Sequence, residues 1–245
     1  MKKAFTLAES ATHVAMPPVF SKAGFTLAEV LITLGIIGVV AAMTIPILLQ
    51  NYSEKRTVSI LRETQSIIAQ SMKMAEEEYG TMDGWVTNPK EDKATTVAYA
   101  NNLKPFLKLA LDCGVNDSEG KCVYKGNYKL KNGTPTANHH ATVTFYYKVK
   151  LLNGSSIWLR PNKVMNTLYG IPAVANFFID TNGPNAPNQW GKDLFEFIYY
   201  PGVGLIPEGS PGSNYNYKKD CLPKNANGYG CAYYVLTQQN MNYLH

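Results

Sequence analysis

Glu29 stands at the mouth of Val30–Leu49, a run of 20 positions with no charged side chain. A carboxylate in that position is expensive in hydrocarbon unless a positive partner relieves it. Four cysteines form the next group, in two local pairs, Cys113/Cys122 and Cys221/Cys231. Neither pair has C-x-x-C spacing, and no histidine lies beside them at zinc-ligand spacing. Two short disulfide loops are expected, which implies an oxidising compartment; four reduced core cysteines are the alternative. The third group is in DTNGPNAPNQWGKD, residues 180–193. Asp180, Asn182 and Asp193 supply hard oxygen ligands there, and Gly183 allows a sharp turn. Asp-x-Asn-Gly is also ordinary turn chemistry. Two carboxylates without a closing Glu do not make the twelve-residue EF-hand loop. His139-His140 has no ligand pattern near it and is expected in a solvated loop. No G-x-S-x-G, H-E-x-x-H or P-loop occurs, and no acid/base pair is evident, so catalysis is not expected.

The elements that carry these residues follow from pattern. The chain has 245 residues, 45% of them hydrophobic, enough for a packed domain rather than a disordered chain. A net charge of +5, spread without a block of like sign, does not demand a nucleic-acid face. Val30–Leu49 is about the length of helix that crosses a bilayer core. Gly35 and Gly38 in it let helices approach closely. Lys2, Lys3 and Lys22 lie upstream and favour a cytoplasmic N-terminus, leaving the bulk of the chain outside the cytoplasm. A removable secretory signal fits poorly. The run is long for one, and no small-x-small site follows it before Gln50-Asn51-Tyr52.

Gly24-Phe25-Thr26-Leu27-Ala28-Glu29-Val30-Leu31, followed by the apolar run, resembles the processing site of bacterial type IV pilins and type II secretion pseudopilins. The resemblance covers about 30 residues, and its specificity comes from glycine, Phe, Glu and run in register. It implies that prepilin peptidase cuts between Gly24 and Phe25 on the cytoplasmic side. Phe25 then becomes the N-methylated terminus, and Glu29 meets the Phe25 amine of a neighbouring subunit during assembly. A lone anchor with a snorkelling Glu29 is the plainer alternative. FTLAE also occurs at residues 5–9. There Ala4 stands where glycine is wanted, and Pro17-Pro18 prevents a spanning helix, so this copy reads as a relic inside the leader. A start at Met16 would give the shorter leader MPPVFSKAG. The resemblance also extends to Pro46, a position where many pilins carry a helix-loosening proline. Some pseudopilins bind calcium in a loop at about the place of residues 180–193. An ordinary turn is the favoured reading and no cofactor is expected; calcium at Asp180, Asn182 and Asp193 is the alternative that the resemblance suggests.

Beyond Pro46 the pattern becomes one-sided. Val58, Leu61, Gln65, Ile68, Met72, Ala75 and Tyr79 follow 3–4 spacing, which predicts an amphipathic helix ending at Gly80. With the apolar run, one helix from Phe25 to Tyr79 would be roughly 80 Å long. Residues 92–111 predict one helix, or two broken at Pro105. Strands are expected at 121–130, 142–149, 176–180, 194–200 and 231–237, with Asn153-Gly154 as a hairpin turn before SSIWLR. The fold class is α+β, a long helix packed on an antiparallel-sheet head. The expected organisation is a removed leader (1–24), a transmembrane and filament-core helix (25–50), its amphipathic half (51–80) and a globular head (81–245). Expected partners are identical or related pilin subunits, prepilin peptidase and an inner-membrane assembly platform. The expected location is the bacterial inner membrane, then a periplasmic or cell-surface filament. The alternative function is a single-pass anchored extracytoplasmic binding protein or hydrolase acting alone.

Overall fold

An uninterrupted apolar run leaves a backbone one good solution in hydrocarbon, a helix whose bonds are all internal. The computed structural model describes residues 24–137, 140–162 and 167–245. In it α1 (Leu27–Tyr79) runs through Pro46 as a single helix. The chain divides into a unit ending at Leu48 and a unit spanning Leu49–His245. In the first unit the helix is apolar on every side, and none of the described residues covers it. Leu27 through Leu48 are exposed except Ala41, which is intermediate. An all-round apolar helix belongs in a core or a membrane.

In the second unit α1 is one-sided. Val58, Leu61, Thr64, Ile68, Ser71, Met72 and Ala75 are buried. The predicted face is corrected at two positions: Gln65 is only half-buried and Tyr79 is exposed. Thr64 and Ser71 take buried places because their hydroxyls find partners. The Thr64 hydroxyl lies 2.9 Å from that of Ser155, and Ser71 Oγ donates to the Phe106 carbonyl at 2.9 Å. Gly80 ends the helix with φ +78, a left-handed conformation that glycine adopts without a Cβ penalty.

After α1 come α2 (Lys93–Leu103), capped by the Asp92 carboxylate, and a 3-10 turn at Lys104–Phe106 that holds Pro105. The strands are β1 (Leu109–Gly114), β2 (Tyr147–Leu151), β3 (Ser156–Pro161), β4 (Thr167–Leu168), β5 (Ile171–Pro172), β6 (Ala175–Asp180), β7 (Leu194–Tyr200) and β8 (Gly204–Pro207). Six form one antiparallel sheet in the order β1-β2-β3-β6-β7-β8, and β4 pairs with β5. Two short helices, α3 (Tyr217–Asp220) and α4 (Cys231–Gln238), close the chain before a final 3-10 turn. The architecture is α+β and pilin-like. Asn153-Gly154 makes the β2–β3 turn, with Gly154 at φ +89.

Side chains alternate across a strand, so each central strand feeds two cores. Ile157, Leu159, Phe177, Ile179, Phe195 and Phe197 join the buried face of α1. Trp158, Phe178 and Leu194 point the other way and are covered by Tyr128, Ala141, Tyr146 and Trp190. Every residue of β6 and β7 is therefore buried, which is why NFFID and LFEFIYY read as continuous apolar text.

Four expectations are corrected. Residues 121–130 form no strand; Val123 and Tyr128 are buried in an irregular cover, and only Lys129 makes isolated bridges. That cover is organised by buried Asp117, whose carboxylate accepts from Lys121 N, Cys122 N and Val123 N at 2.9, 2.8 and 2.9 Å. The strand expected at 142–149 begins only at Tyr147, because residues before it wrap over the sheet instead of pairing. Leu111 of the expected helical stretch lies in β1, beyond the turn that Pro105 enforces. Cys231–Thr237 is helical: Cys231, Ala232 and Val235 are buried, a one-sided 3–4 pattern too short to separate from a strand in sequence.

Candidate functional site

Thr26 precedes the first helical residue, and Glu29 follows it by three. That is the spacing at which both ends of a helix start can be satisfied at once. The structure realises it. Glu29 N donates to Thr26 Oγ1 at 3.2 Å, and Thr26 N donates back to Glu29 Oε2 at 2.8 Å. The Thr26 hydroxyl adds a 2.7 Å bond to the same oxygen. The carboxylate is thus held at the helix start, where the dipole favours negative charge. Thr26 was missed as a functional candidate, although Thr-x-x-Glu before an apolar run is the sequence signal for this cap. Phe25, just outside the helix, is 87% exposed, and Gly24 has open space around its Cα. Gly24, Phe25 and Thr26 lie outside the helix and are exposed.

Both cysteine pairs are bonded, Cys113–Cys122 and Cys221–Cys231. The first ties β1 to the irregular cover held by Asp117. The second ties the end of α3 to the start of α4.

The structure brings Asp180, Asn182 and Asp193 into one turn between β6 and β7. Asp180 is fully buried and accepts from the Tyr128 hydroxyl at 2.6 Å and from Asn182 N at 3.2 Å. Asp193 accepts from Asn188 N at 2.7 Å and Gln189 N at 2.6 Å. Burial, then the charge of Asp193, pushes the Asp180 carboxyl well above the usual carboxylate range. Burial also raises Asp193, to about 6, against the pull of the Gln189 and Asn188 amides. Asn182 Oδ1 and Asn188 Oδ1 are buried without a partner among the described residues.

The expected solvated double histidine is corrected at His140. It is 3% exposed and stacks on Tyr146 at 5.2 Å between ring centroids. Burial, then the charges of Arg160 and Lys148, lowers its pKa to about 3, so it is neutral. His139 lies outside the described residues. Terminal His245 meets Glu54 at 3.0 Å, so it fastens the C-terminus to α1.

Residues 20–45 match a prokaryotic N-terminal methylation motif, which covers Gly24, Phe25, Glu29 and most of the apolar run. The chain therefore carries a type IV pilin-like prepilin signature. No curated protein and no solved structure matches it. Residues 47–243 match a family of unknown function, DUF6613, across nearly the whole remainder. By that match, the chain belongs to the DUF6613 family.

Proposed function

We propose that this chain is a structural subunit of a type IV pilus or a type II secretion-like pseudopilus. The observation that carries this reading is the prepilin signature leading directly into an apolar helix that is exposed among the described residues. Prepilin peptidase cuts between Gly24 and Phe25, and the new Phe25 amine is methylated. Residues 25–50 hold the subunit in the inner membrane and later pack in the filament core. The amphipathic half of the helix and the head stay outside the cytoplasm, where the disulfides persist. Partners are related subunits, the peptidase and an inner-membrane assembly platform. A lone anchored binding protein explains the helix, the disulfides and a capping Glu29, but leaves Gly24-Phe25 in register with it without a role.

N-terminal sequencing of the membrane-extracted protein tests this. The mature chain is expected to begin at methylated Phe25, and Gly24→Leu is expected to leave the leader attached. A mature chain beginning at Phe5, or a leader intact in assembled material, would reject the reading.

For the Asp180–Asp193 turn we favour a self-supporting structure. Its carboxylate oxygens already accept from the Tyr128 hydroxyl and from three peptide N–H groups. Calcium is the second reading, favoured by two buried carboxyls and the unpartnered Asn182 and Asn188 oxygens. Asp180, Asn182 and Asp193 would hold the ion, which would neutralise the buried charge. Melting in calcium chloride and in EDTA separates the two. Equal midpoints support the turn, and a fall in EDTA assigns calcium.

A further inference from the structure

The sheet face turned away from α1 carries a polar group of side chains that the proposed assembly through the N-terminal helix does not call on. Strand register creates it. Arg160 of β3 lies opposite Asn176 of β6, and Phe178 of β6 lies opposite Glu196 of β7. These side chains line a cavity of about 370 Å³, whose remaining lining includes Trp190, Tyr215 and Tyr229. That volume lies at the small end of ligand clefts.

The cavity is surrounded by unmet hydrogen-bonding capacity. Arg160 Nε, Trp190 Nε1, Asn176 Oδ1 and His140 Nδ1 are buried and have no partner among the described residues. Asn176 is 2% exposed, His140 3% and Trp190 4%. Leaving such a group unpaired is costly, and native structures contain few of them. The four side chains line one cavity, and small rotations would turn these atoms toward a shared partner in it. Glu196 adds a carboxyl held only by the Asn176 amide, at 2.6 Å. Burial, then the neighbouring Glu208, raises it to about 7. It can therefore donate as well as accept near neutral pH.

The chemistry of the lining selects the ligand. A second cation is disfavoured, because the Arg160 guanidinium already lies 5.9 Å from the Phe178 ring centroid and 6.0 Å from that of Tyr146. An anion is disfavoured, because Arg160 is paired with Glu91 at 2.6 Å and Glu196 faces the same space. A flat base needs a parallel slot. His140 and Tyr146 stack on each other at 5.2 Å between centroids, which leaves no slot between them, and the other rings meet at angles, with Trp190 and Tyr229 at 89° and Tyr215 and Tyr229 at 43°. What remains is a neutral, saturated ring bearing hydroxyls. A hydroxyl donates once and accepts twice, which suits a lining that mixes lone donors and acceptors. The apolar faces of such a ring pack on aromatic walls.

We propose that this cavity binds one neutral sugar ring, either a free monosaccharide or the exposed end of a surface glycan. The test uses the full chain in detergent. Glucose, galactose, mannose and N-acetylglucosamine are added at about 10 mM, which detects millimolar affinity, and saturation-transfer NMR reads binding. Tetramethylammonium, glutamate and guanosine monophosphate are the comparison probes. At least one sugar is expected to bind, with binding at least about tenfold weaker in Tyr229→Ala and several-fold weaker in Glu196→Gln. Glu196→Gln is isosteric and keeps the test decisive if Tyr229→Ala unfolds. Capture by glycan-coated beads carrying the bound sugar at the chain end assigns a glycan; binding of the free sugar alone assigns a monosaccharide. Binding of no sugar, equal binding by wild type and both variants, or preference for a charged probe or the nucleotide would overturn the proposal.

Discussion

Glu29→Ala is expected to keep membrane insertion and leader cleavage while the sheared-filament fraction falls at least about tenfold. The expectation follows from what the carboxylate can meet at each stage. In the single chain it is held by Thr26, which donates from both its amide and its hydroxyl. On the proposed assembly, cleavage would create a positive amine on Phe25 of every subunit. At the axial offset of one subunit, Glu29 would then meet the amine of a neighbour. In a low-dielectric core an unpaired charge costs several kcal/mol, and each 1.4 kcal/mol is a factor of ten. The cap introduces a competing explanation, that Glu29 matters only for starting the helix. Two substitutions separate them. Glu29→Gln can keep the cap, since Gln serves the same reciprocal bonds, but it carries no charge. Thr26→Ala removes the cap and keeps the charge. Pairing between subunits predicts filament loss for Glu29→Gln close to that of Glu29→Ala, and a milder effect for Thr26→Ala. If Glu29→Gln assembles normally while Thr26→Ala does not, the carboxylate is a capping residue only. Comparison of membrane-pool and sheared fractions by immunoblot measures this.

Asp117→Ala is expected to destabilise the head by about 3 kcal/mol or more, since it leaves three peptide donors without their charged acceptor. Asp117 is 4% exposed, and Lys121 N, Cys122 N and Val123 N converge on its two oxygens. Its own amide donates to the Ala141 carbonyl at 2.9 Å, so it also joins two parts of the cover over the outer sheet face. For a domain of this size the loss corresponds to a melting midpoint lower by about 6–12 °C. Asp117→Asn keeps the shape but turns one acceptor into a donor facing an N–H, so an intermediate fall is expected. The Cys113–Cys122 bond spans this segment and limits how far it can open. Reduction should therefore deepen the defect of Asp117→Ala beyond the sum of the two separate effects. A thermal melt of the detergent-solubilised chain, oxidised and reduced, checks both statements. An unchanged midpoint for Asp117→Ala would show that the turn does not depend on its carboxylate.

The features that the sequence determined by itself are those encoded over short spans. A spanning length needs only consecutive apolar residues, and Val30–Leu49 supplies them. The prepilin signature needs Gly24, Phe25 and Glu29 in register with that run. The amphipathic half of α1 was visible because a 3–4 spacing persists over several turns, and its errors at Gln65 and Tyr79 mark where the partner surface, not the period, sets burial. Strands β6 and β7 were legible for the same reason, as unbroken apolar text between turns.

Tertiary structure decided the rest, because strand pairing joins residues far apart in sequence and no local pattern states which will meet. Asp117 reads in sequence as one more polar loop residue; only the fold of the cover turns three amides toward it. His140 looks solvated until Tyr146 and Trp158 close over it. Cys231–Gln238 has too few residues for its period to declare a helix, so packing of Cys231, Ala232 and Val235 settles it. Arg160, Asn176 and Glu196 carry no motif and lie on three different strands. Antiparallel register aligns them on one face, and a shift of a single residue in any pairing would send a side chain to the opposite core.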